Sequence, residues 1–335
     1  MMSIENFKSG LLKIPPITMG LRYLFRSVPL IFLYHRFSPT RKKDEFSVCA
    51  DVFGRQLDLL LKYYKIETLG YCLEYYYKYE KWPQKTAVIT IDDGYRDFFL
   101  YAFPELKKRN IKATFFVTVE FVNKNIWLWP DKVFYAILNS EKKNIKIDKI
   151  EKNKIYPLET LKQKIFFNNK FCEYCKKIRD DEKKDLIFLL EKKLQVNSPE
   201  LPVDGFEAIT WDELKYVSQY GIEIGSHTMT HPILSKVSIE KLTYEIKRSK
   251  EVIEEMIEKP LKSFCYPNSL PQDITEEVVQ VAKDSGYLGG VHNFGLRKFD
   301  PYLIPRVGVS NHEFDFSCKT NRFEQFGFTV KNLMK

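Results

Sequence analysis

Several things are scarce or missing in this sequence of 335 residues, and each absence removes a class of protein. The N-terminal apolar stretch runs only from Val28 to Tyr34 and is interrupted by Pro29. Pro15-Pro16 precede it and no small-residue cleavage site follows, so it reads as neither a signal peptide nor a spanning helix. The six cysteines are scattered along a long chain, which excludes the dense disulfide framework of a small secreted domain and reads as mostly free thiols. Cys172-Glu-Tyr-Cys175 has the spacing of half a zinc site, but the other half is missing and the flanks are Lys-rich and helical, so two packing cysteines are expected there. Zinc-finger spacing, RNP-type aromatic motifs and a helix-turn-helix signature are all lacking, which argues against nucleic acid as a partner. There is no internal repeat and no low-complexity segment. Histidine is rare, with five in all, so that two of them four residues apart carry weight.

What is present is a globular composition, 44% hydrophobic and 15% aromatic, in a length that suits one large domain or two ordinary ones. A formal charge of +9 favours anionic partners: phosphates, acidic glycans or the anionic face of a membrane. In residues 1–28, Lys8, Lys13, Arg22 and Arg26 alternate with Leu, Met, Tyr and Phe. That mixture suits either an arm packed on its own domain or a helix lying at a lipid surface.

Pro29 to Phe37 reads as a strand ending at His35-Arg36. Asp51 to Ile66 reads as an amphipathic helix, with a short strand near Thr68. Thr86 to Ile91 is β-rich and almost wholly apolar, as in a strand covered on both faces, and Phe98 to Arg109 and Lys112 to Val119 follow as helix and buried strand. This order indicates parallel α/β units. From residue 123 to 206, Lys/Glu-rich stretches with helical spacing of Leu, Ile and Phe read as a helical insertion. The α/β rhythm resumes at Thr210-Trp-Asp-Glu213, a helix N-cap pattern, with a strand from Gly221 to Gly225. Then come a helix from Ser238 to Ile257, a strand from Leu261 to Tyr266, a helix from Pro271 to Ser285 and a strand from Tyr287 to Val291. The stretch beyond Asn311 is aromatic and mixed and has no assignment.

The chemistry concentrates at Thr90-Ile-Asp92-Asp93-Gly94 and at His227-Thr-Met-Thr-His231. Asp-Gly alone is ordinary turn chemistry. Both segments, however, follow predicted strands, and catalytic groups of parallel α/β folds gather at the carboxyl ends of strands. One carboxylate and two imidazoles make a three-ligand set for a divalent cation that leaves positions open for water and substrate, with the second carboxylate free as a base. Pro232 biases His231 away from helix, so the two histidines are expected on a short loop.

Three stretches resemble the polysaccharide deacetylases of the NodB-like, carbohydrate esterase family 4 type: Thr90 to Asp97 with Ala113 to Val117, Gly221 to His231, and Ser263 to Pro267. With Leu303-Ile-Pro-Arg-Val307, the resemblance covers residues 29–122 and 207–309, and leaves out an N-terminal arm (1–28), the helical insertion (123–206) and a C-terminal extension (310–335). It implies a distorted barrel of about seven β/α units that removes acetyl from N-acetylated amino sugars with Zn²⁺ or a related cation such as Co²⁺, Ni²⁺ or Mn²⁺. On the same basis Asp92 is the general base, and Asp93, His227 and His231 are the metal ligands.

The third motif departs from the family's usual pattern. Cys265, Tyr266, Pro267, Asn268 and Ser269 stand where many members have Arg, Pro, Pro, Tyr and Gly, so the arginine that orients the base is missing and Arg306 is the candidate substitute. Asn268 takes the position whose backbone N–H serves as oxyanion donor. For the general acid, Leu33-Tyr-His35-Arg36 resembles the N-terminal strand of the subgroup acting on exported poly-N-acetylglucosamine, which favours His35 over His292. His312 has no motif. The expected partner is an N-acetylated glycan or glycan precursor, soluble or lipid-linked. The expected location is cytoplasmic, at or near the inner membrane face. Two rivals share these residues: the same site cleaving a formyl or other amide, and a degenerate module that only binds glycan.

Overall fold

The computed structural model describes residues 8, 10–12, 14–40, 47–293 and 300–333. Lys13, part of the N-terminal lipid-surface pattern, lies outside the described residues. Short runs of β-branched and aromatic residues form strands β1 (Leu30–Tyr34), β2 (Arg36–Ser38), β3 (Ser47–Cys49), β4 (Lys65–Ile66), β5 (Thr86–Ile91), β6 (Ala113–Val117), β7 (Asn144–Lys146), β8 (Ile155–Pro157), β9 (Ile222–Ser226), β10 (Ser263–Cys265), β11 (Gly289–His292), β12 (Ile304–Pro305) and β13 (Val307–Gly308).

The main sheet follows the path β12-β11-β10-β9-β6-β5-β1-β13, and β4 pairs with the start of β5. Every neighbouring pair along that path is parallel. The two ends of the path are halves of one segment: Ile304 pairs with Val291 on one side and Val307 with Phe32 on the other, with Arg306 between them. The sheet is therefore a nearly closed parallel barrel whose seventh stave is split at Arg306, in agreement with the distorted barrel of about seven units expected from sequence.

Alternation along the strands divides the core. Phe32, Ile89, Phe115 and Ile224 face outward and pack under the surrounding helices with Phe53, Leu57, Leu106 and Leu214. Ile31, Val88, Phe116, Cys265, Val291 and Ile304 face the axis, where Leu69, Cys72 and Leu73 from helix Leu69–Tyr79 meet them. That helix plugs the amino end of the barrel and was not expected. Thr68, read as part of a strand, is instead its N-cap and accepts a hydrogen bond from the Tyr71 N–H, while the strand lies earlier, at Lys65–Ile66.

Between β6 and β9, helices Trp129–Leu138, Leu161–Cys175 and Asp180–Leu194 and the antiparallel pair β7–β8 share a separate apolar cluster that includes Val133, Ile137, Phe167, Phe171, Leu186 and Leu190. Cys175 is buried in this cluster and Cys172 packs against it, and burial pushes both thiols up to about 12. The unassigned C-terminal stretch forms helices Glu313–Thr320 and Phe323–Leu333, and Leu21 of helix Pro15–Leu24 packs with Cys318 and Phe323. Among the described residues, no helix is long and apolar enough to cross a membrane.

Candidate metal centre and active site

β5 delivers both aspartates, and a change of backbone hand separates them. Asp92 continues the strand, its N–H bonded to the Tyr34 carbonyl at 3.0 Å. Asp93 then enters the left-handed region (φ 78°) and Gly94 follows at φ 101°. An L-residue there costs about 1–2 kcal/mol, so the surrounding structure must hold it. The Thr118 N–H does so by donating to the Asp93 carbonyl at 3.1 Å.

β9 ends at Ser226, and His227 is fixed by its N–H to the Val117 carbonyl at 2.9 Å. Thr228 (φ 73°) and His231 (φ 58°) are also left-handed, so the segment curls as a loop. Local hydrogen bonds over-determine it. Ser226 Oγ accepts from the Thr228 N–H (3.2 Å), and Thr228 Oγ1 accepts from the His231 N–H (2.9 Å). Glu245, fully buried, takes both the N–H (2.8 Å) and the hydroxyl (2.6 Å) of Thr230. Glu245 is carried by a π-turn, Tyr244–Arg248, inside the helical stretch that follows.

The result brings three expected ligands together. His227 Nε2 and His231 Nε2 each lie 3.4 Å from Asp93 Oδ1, and one ligand atom from each residue falls within 4.8 Å of the others. The Cys265 carbonyl sits 2.8 Å from His227 Nδ1, and because a carbonyl only accepts, Nδ1 carries the proton and Nε2 keeps its lone pair toward Asp93. Lone-pair nitrogen facing a carboxylate is a donor set for a cation, and these residues fit one. Burial alone would raise the Asp93 carboxyl, but when the imidazoles are protonated and no cation is held their N–H groups donate to it and keep it well below its usual range.

Asp92, Cys265 and His227 form a second cluster of comparable size. It is a poor cation site, because the Arg306 guanidinium already fills its open side. Arg306 donates from Nη1 to Asp92 Oδ1 (2.7 Å) and from Nη2 to Asp92 Oδ2 (2.6 Å), and Nη2 lies 3.2 Å from Cys265 Sγ. Thr90 Oγ1 (3.0 Å) and Asn293 Oδ1 (2.6 Å from Nη2) complete its shell. Burial opposes the Asp92 charge, yet Arg306 outweighs it and the carboxyl sits below its usual range. The Cys265 thiol, pushed up by burial, stays protonated and donates to Asp92 Oδ2 at 3.3 Å.

His35 lies just beyond β1, with Nε2 3.9 Å from Asp92 Oδ2 and its side chain 30% exposed. His292 is buried in β11 with Nε2 3.1 Å from the Leu303 carbonyl. Asn268 and Ser269 are both left-handed (φ 58° and 46°), and the Asn268 amide donates to Asp273 Oδ2 at 2.6 Å. Ser269 Oγ accepts from the Asn293 N–H at 3.1 Å, which ties this loop to the group holding Arg306. His312 precedes helix Glu313–Thr320 as its N-cap. Glu245 and Asn293 were not singled out from sequence, and Thr90 stood in the Asp92-Asp93 motif without a role; only their three-dimensional neighbours give them a part.

A family model described as polysaccharide deacetylase matches residues 79–153 and 166–289. Among solved structures, the chain is similar to the Streptococcus pyogenes deacetylase PplD in complex with acetate (16% identity, TM-score 0.56, covering 89% of this chain and 96% of that one). It is similar to IcaB from Ammonifex degensii (17%, TM-score 0.52, 88% and 97%) and to a de-N-acetylase from Aggregatibacter actinomycetemcomitans (15%, TM-score 0.51, 85% and 95%). At these identities the likeness establishes the fold. No curated protein matches the chain.

Proposed function

Since the chain belongs to the polysaccharide deacetylase family, we propose that it hydrolyses the N-acetyl group of an amino sugar in a glycan or glycan precursor, releasing acetate, at a site where Asp93, His227 and His231 hold Zn²⁺ or a related divalent cation. The observation that carries this reading is the pairing of two adjacent aspartates with opposite partners. Asp93 faces two imidazole nitrogens, while Asp92 is clamped by a guanidinium. The cation, when bound, supplies a Lewis acid against the amide oxygen and makes a water easier to deprotonate.

The chain's own groups divide the remaining work. Asp92 accepts a proton from the attacking water, and Arg306 keeps it ionised and aimed. His35, on the accessible side of Asp92, donates a proton to the departing sugar amine. The Asn268 backbone N–H stabilises negative charge developing on the acyl oxygen. The acetate held by PplD, a protein of similar fold, supports an acetyl leaving fragment. The reading extends to a lipid-linked or membrane-apposed glycan, because Met19, Tyr23 and Leu24 on helix Pro15–Leu24 are 62%, 64% and 61% exposed beside Arg22 and Arg26.

Acetate release by Zn²⁺- or Co²⁺-loaded protein, across N-acetylhexosamine oligomers and lipid- or nucleotide-linked N-acetyl sugars, tests the proposal. Release abolished in Asp92→Asn is expected. Formate or another acid in place of acetate would reassign the amide, and binding without any release, equal in the variant, would make the site a glycan receptor.

A further inference from the structure

Where the insertion rejoins the barrel lies a cavity of about 210 Å³, lined by Arg96, Phe121, Lys124, Leu201, Pro202 and Glu207 among others. Its position follows from the chain path. Arg96 stands on the loop after β5 that carries Asp93, Phe121 and Lys124 follow β6, and Leu201 and Pro202 belong to the segment by which the chain leaves the insertion. The returning strand is stitched to the aspartate loop: Tyr95 pairs with Ala208, the Arg96 N–H donates to the Glu207 carbonyl (2.9 Å) and the Ile209 N–H to the Gly94 carbonyl (2.9 Å). The cavity therefore opens at the carboxyl end of the barrel, where Asp93 and His227 lie, and Tyr95, next to the metal loop, packs its ring 5.2 Å from that of Phe121.

The lining has two characters. Phe121, Leu201 and Pro202 give an apolar wall, and Leu201 is 51% exposed. The opposite side is charged and unevenly so. The Arg96 guanidinium is satisfied by Glu213 at 2.9 Å, with Glu207 at 4.0 Å, whereas Lys124 has no ion-pair partner among the described residues. Lys124 is held in left-handed backbone (φ 60°) by its own N–H to the Phe121 carbonyl at 3.0 Å, which fixes where its side chain starts. One apolar wall, hydrogen-bonding groups at the edge and one uncompensated cation match a pyranose ring bearing an anionic substituent.

We infer that this cavity is a subsite for an acidic sugar unit, carrying a carboxylate or phosphate, that neighbours the N-acetylated unit being hydrolysed. The inference rests on the deacetylase reading above. It makes the insertion part of substrate selection, since Leu201 and Pro202 belong to it, and it gives the chain's positive charge a local use.

Two probes of equal length test it: a neutral N-acetylglucosamine tetramer and a tetrasaccharide in which N-acetylglucosamine alternates with glucuronic acid. The wild type is expected to favour the acidic probe about tenfold in kcat/KM, the scale of one charge-assisted contact. That ratio should fall to near one in Lys124→Ala and invert in Lys124→Glu. An unchanged ratio in both variants would overturn the inference. Binding of the acidic probe to Asp92→Asn, followed by saturation-transfer NMR, separates this from failure of the deacetylase reading, because it needs no turnover. Binding lost in Asp92→Asn/Lys124→Glu supports the subsite, and equal binding refutes it, whatever the acetate assay reports.

Discussion

Arg306→Gln is the most informative single change, because Arg306 is fully buried and its guanidinium is the only cation bonded to both oxygens of Asp92 among the described residues. Removing one partner of a buried ion pair costs about 3–5 kcal/mol, since the other charge is left without compensation. Set against a total stability of about 5–15 kcal/mol, that is a large loss, so the companion variant is Asp92→Asn/Arg306→Gln, which removes both charges. The double variant should recover about 2–3 kcal/mol relative to the sum of the two single losses. The pH dependence carries an independent sign. In the wild type the folded-state pKa of Asp92 is depressed, so the pair stabilises above the unfolded carboxylate pKa (~3.9) and that contribution is lost as pH falls through the folded value. In Arg306→Gln burial acts with much less opposition and the folded pKa of Asp92 rises. The penalty is then present at neutral pH and shrinks as pH falls toward ~4. Urea unfolding of chelator-treated protein at pH 7.5 and pH 5 measures all of this without interference from bound metal. Additive single losses, or a stability deficit in Arg306→Gln that grows as pH falls, would refute the argument.

Chelation should remove activity and lower Tm, with both restored by added Zn²⁺, and Asp93→Asn or His231→Ala should abolish the Zn²⁺-dependent rise in Tm, read by differential scanning fluorimetry. Glu245→Ala strips Thr230 of two hydrogen-bond acceptors and should weaken metal affinity about 10–100-fold by calorimetry while the Asp92–Arg306 pair stays intact; unchanged affinity would mean that the loop holds itself. Burial pushes the Asp131 carboxyl up to about 6, so its charge costs stability as pH rises from ~4 through that value. Asp131→Asn should therefore be stabilised relative to wild type at pH 8, by at most about 3 kcal/mol, with the difference gone near pH 4 in urea titrations. Cys265, buried with a raised thiol pKa, should resist a thiol reagent in the native protein and react only on unfolding.

The two loops that carry the candidate ligands were legible because their chemistry is local: Asp92-Asp93-Gly94 and His227 to His231 each sit at the end of one largely buried strand. Helix Leu69–Tyr79 was missed for a physical reason. Its outer turns are tyrosines, which carry no clear polar and apolar alternation, and Thr68 can belong to a strand or cap a helix until the barrel end it plugs is known. The C-terminal helices were illegible because their apolar faces are partnered by residues from the other end of the chain, such as Leu21. Arg306 lay between these cases. Sequence could nominate it, but only the closure that sets Val307 beside Phe32 explains how it reaches Asp92 across 214 residues. Glu245 and Asn293 act through partners 15 and 13 residues away, outside their own elements, which no pattern in one segment records.

The split seventh stave couples assembly to competence. The last seam of the barrel is the two residue pairs that set Val307 and Gly308 beside Phe32 and Leu33, joining opposite ends of the chain, and such long-range pairings form late because of the loop entropy they must overcome. The guanidinium reaches Asp92 only when that seam shuts. Until then the carboxylate lacks the partner that makes its burial tolerable, so a chain with the other six staves in place is penalised at the point where its chemistry would occur. The residue that clamps Asp92 is also the latch of the barrel, and with Asp92 in the role proposed above an incompletely closed molecule is expected to be inactive as well as less stable.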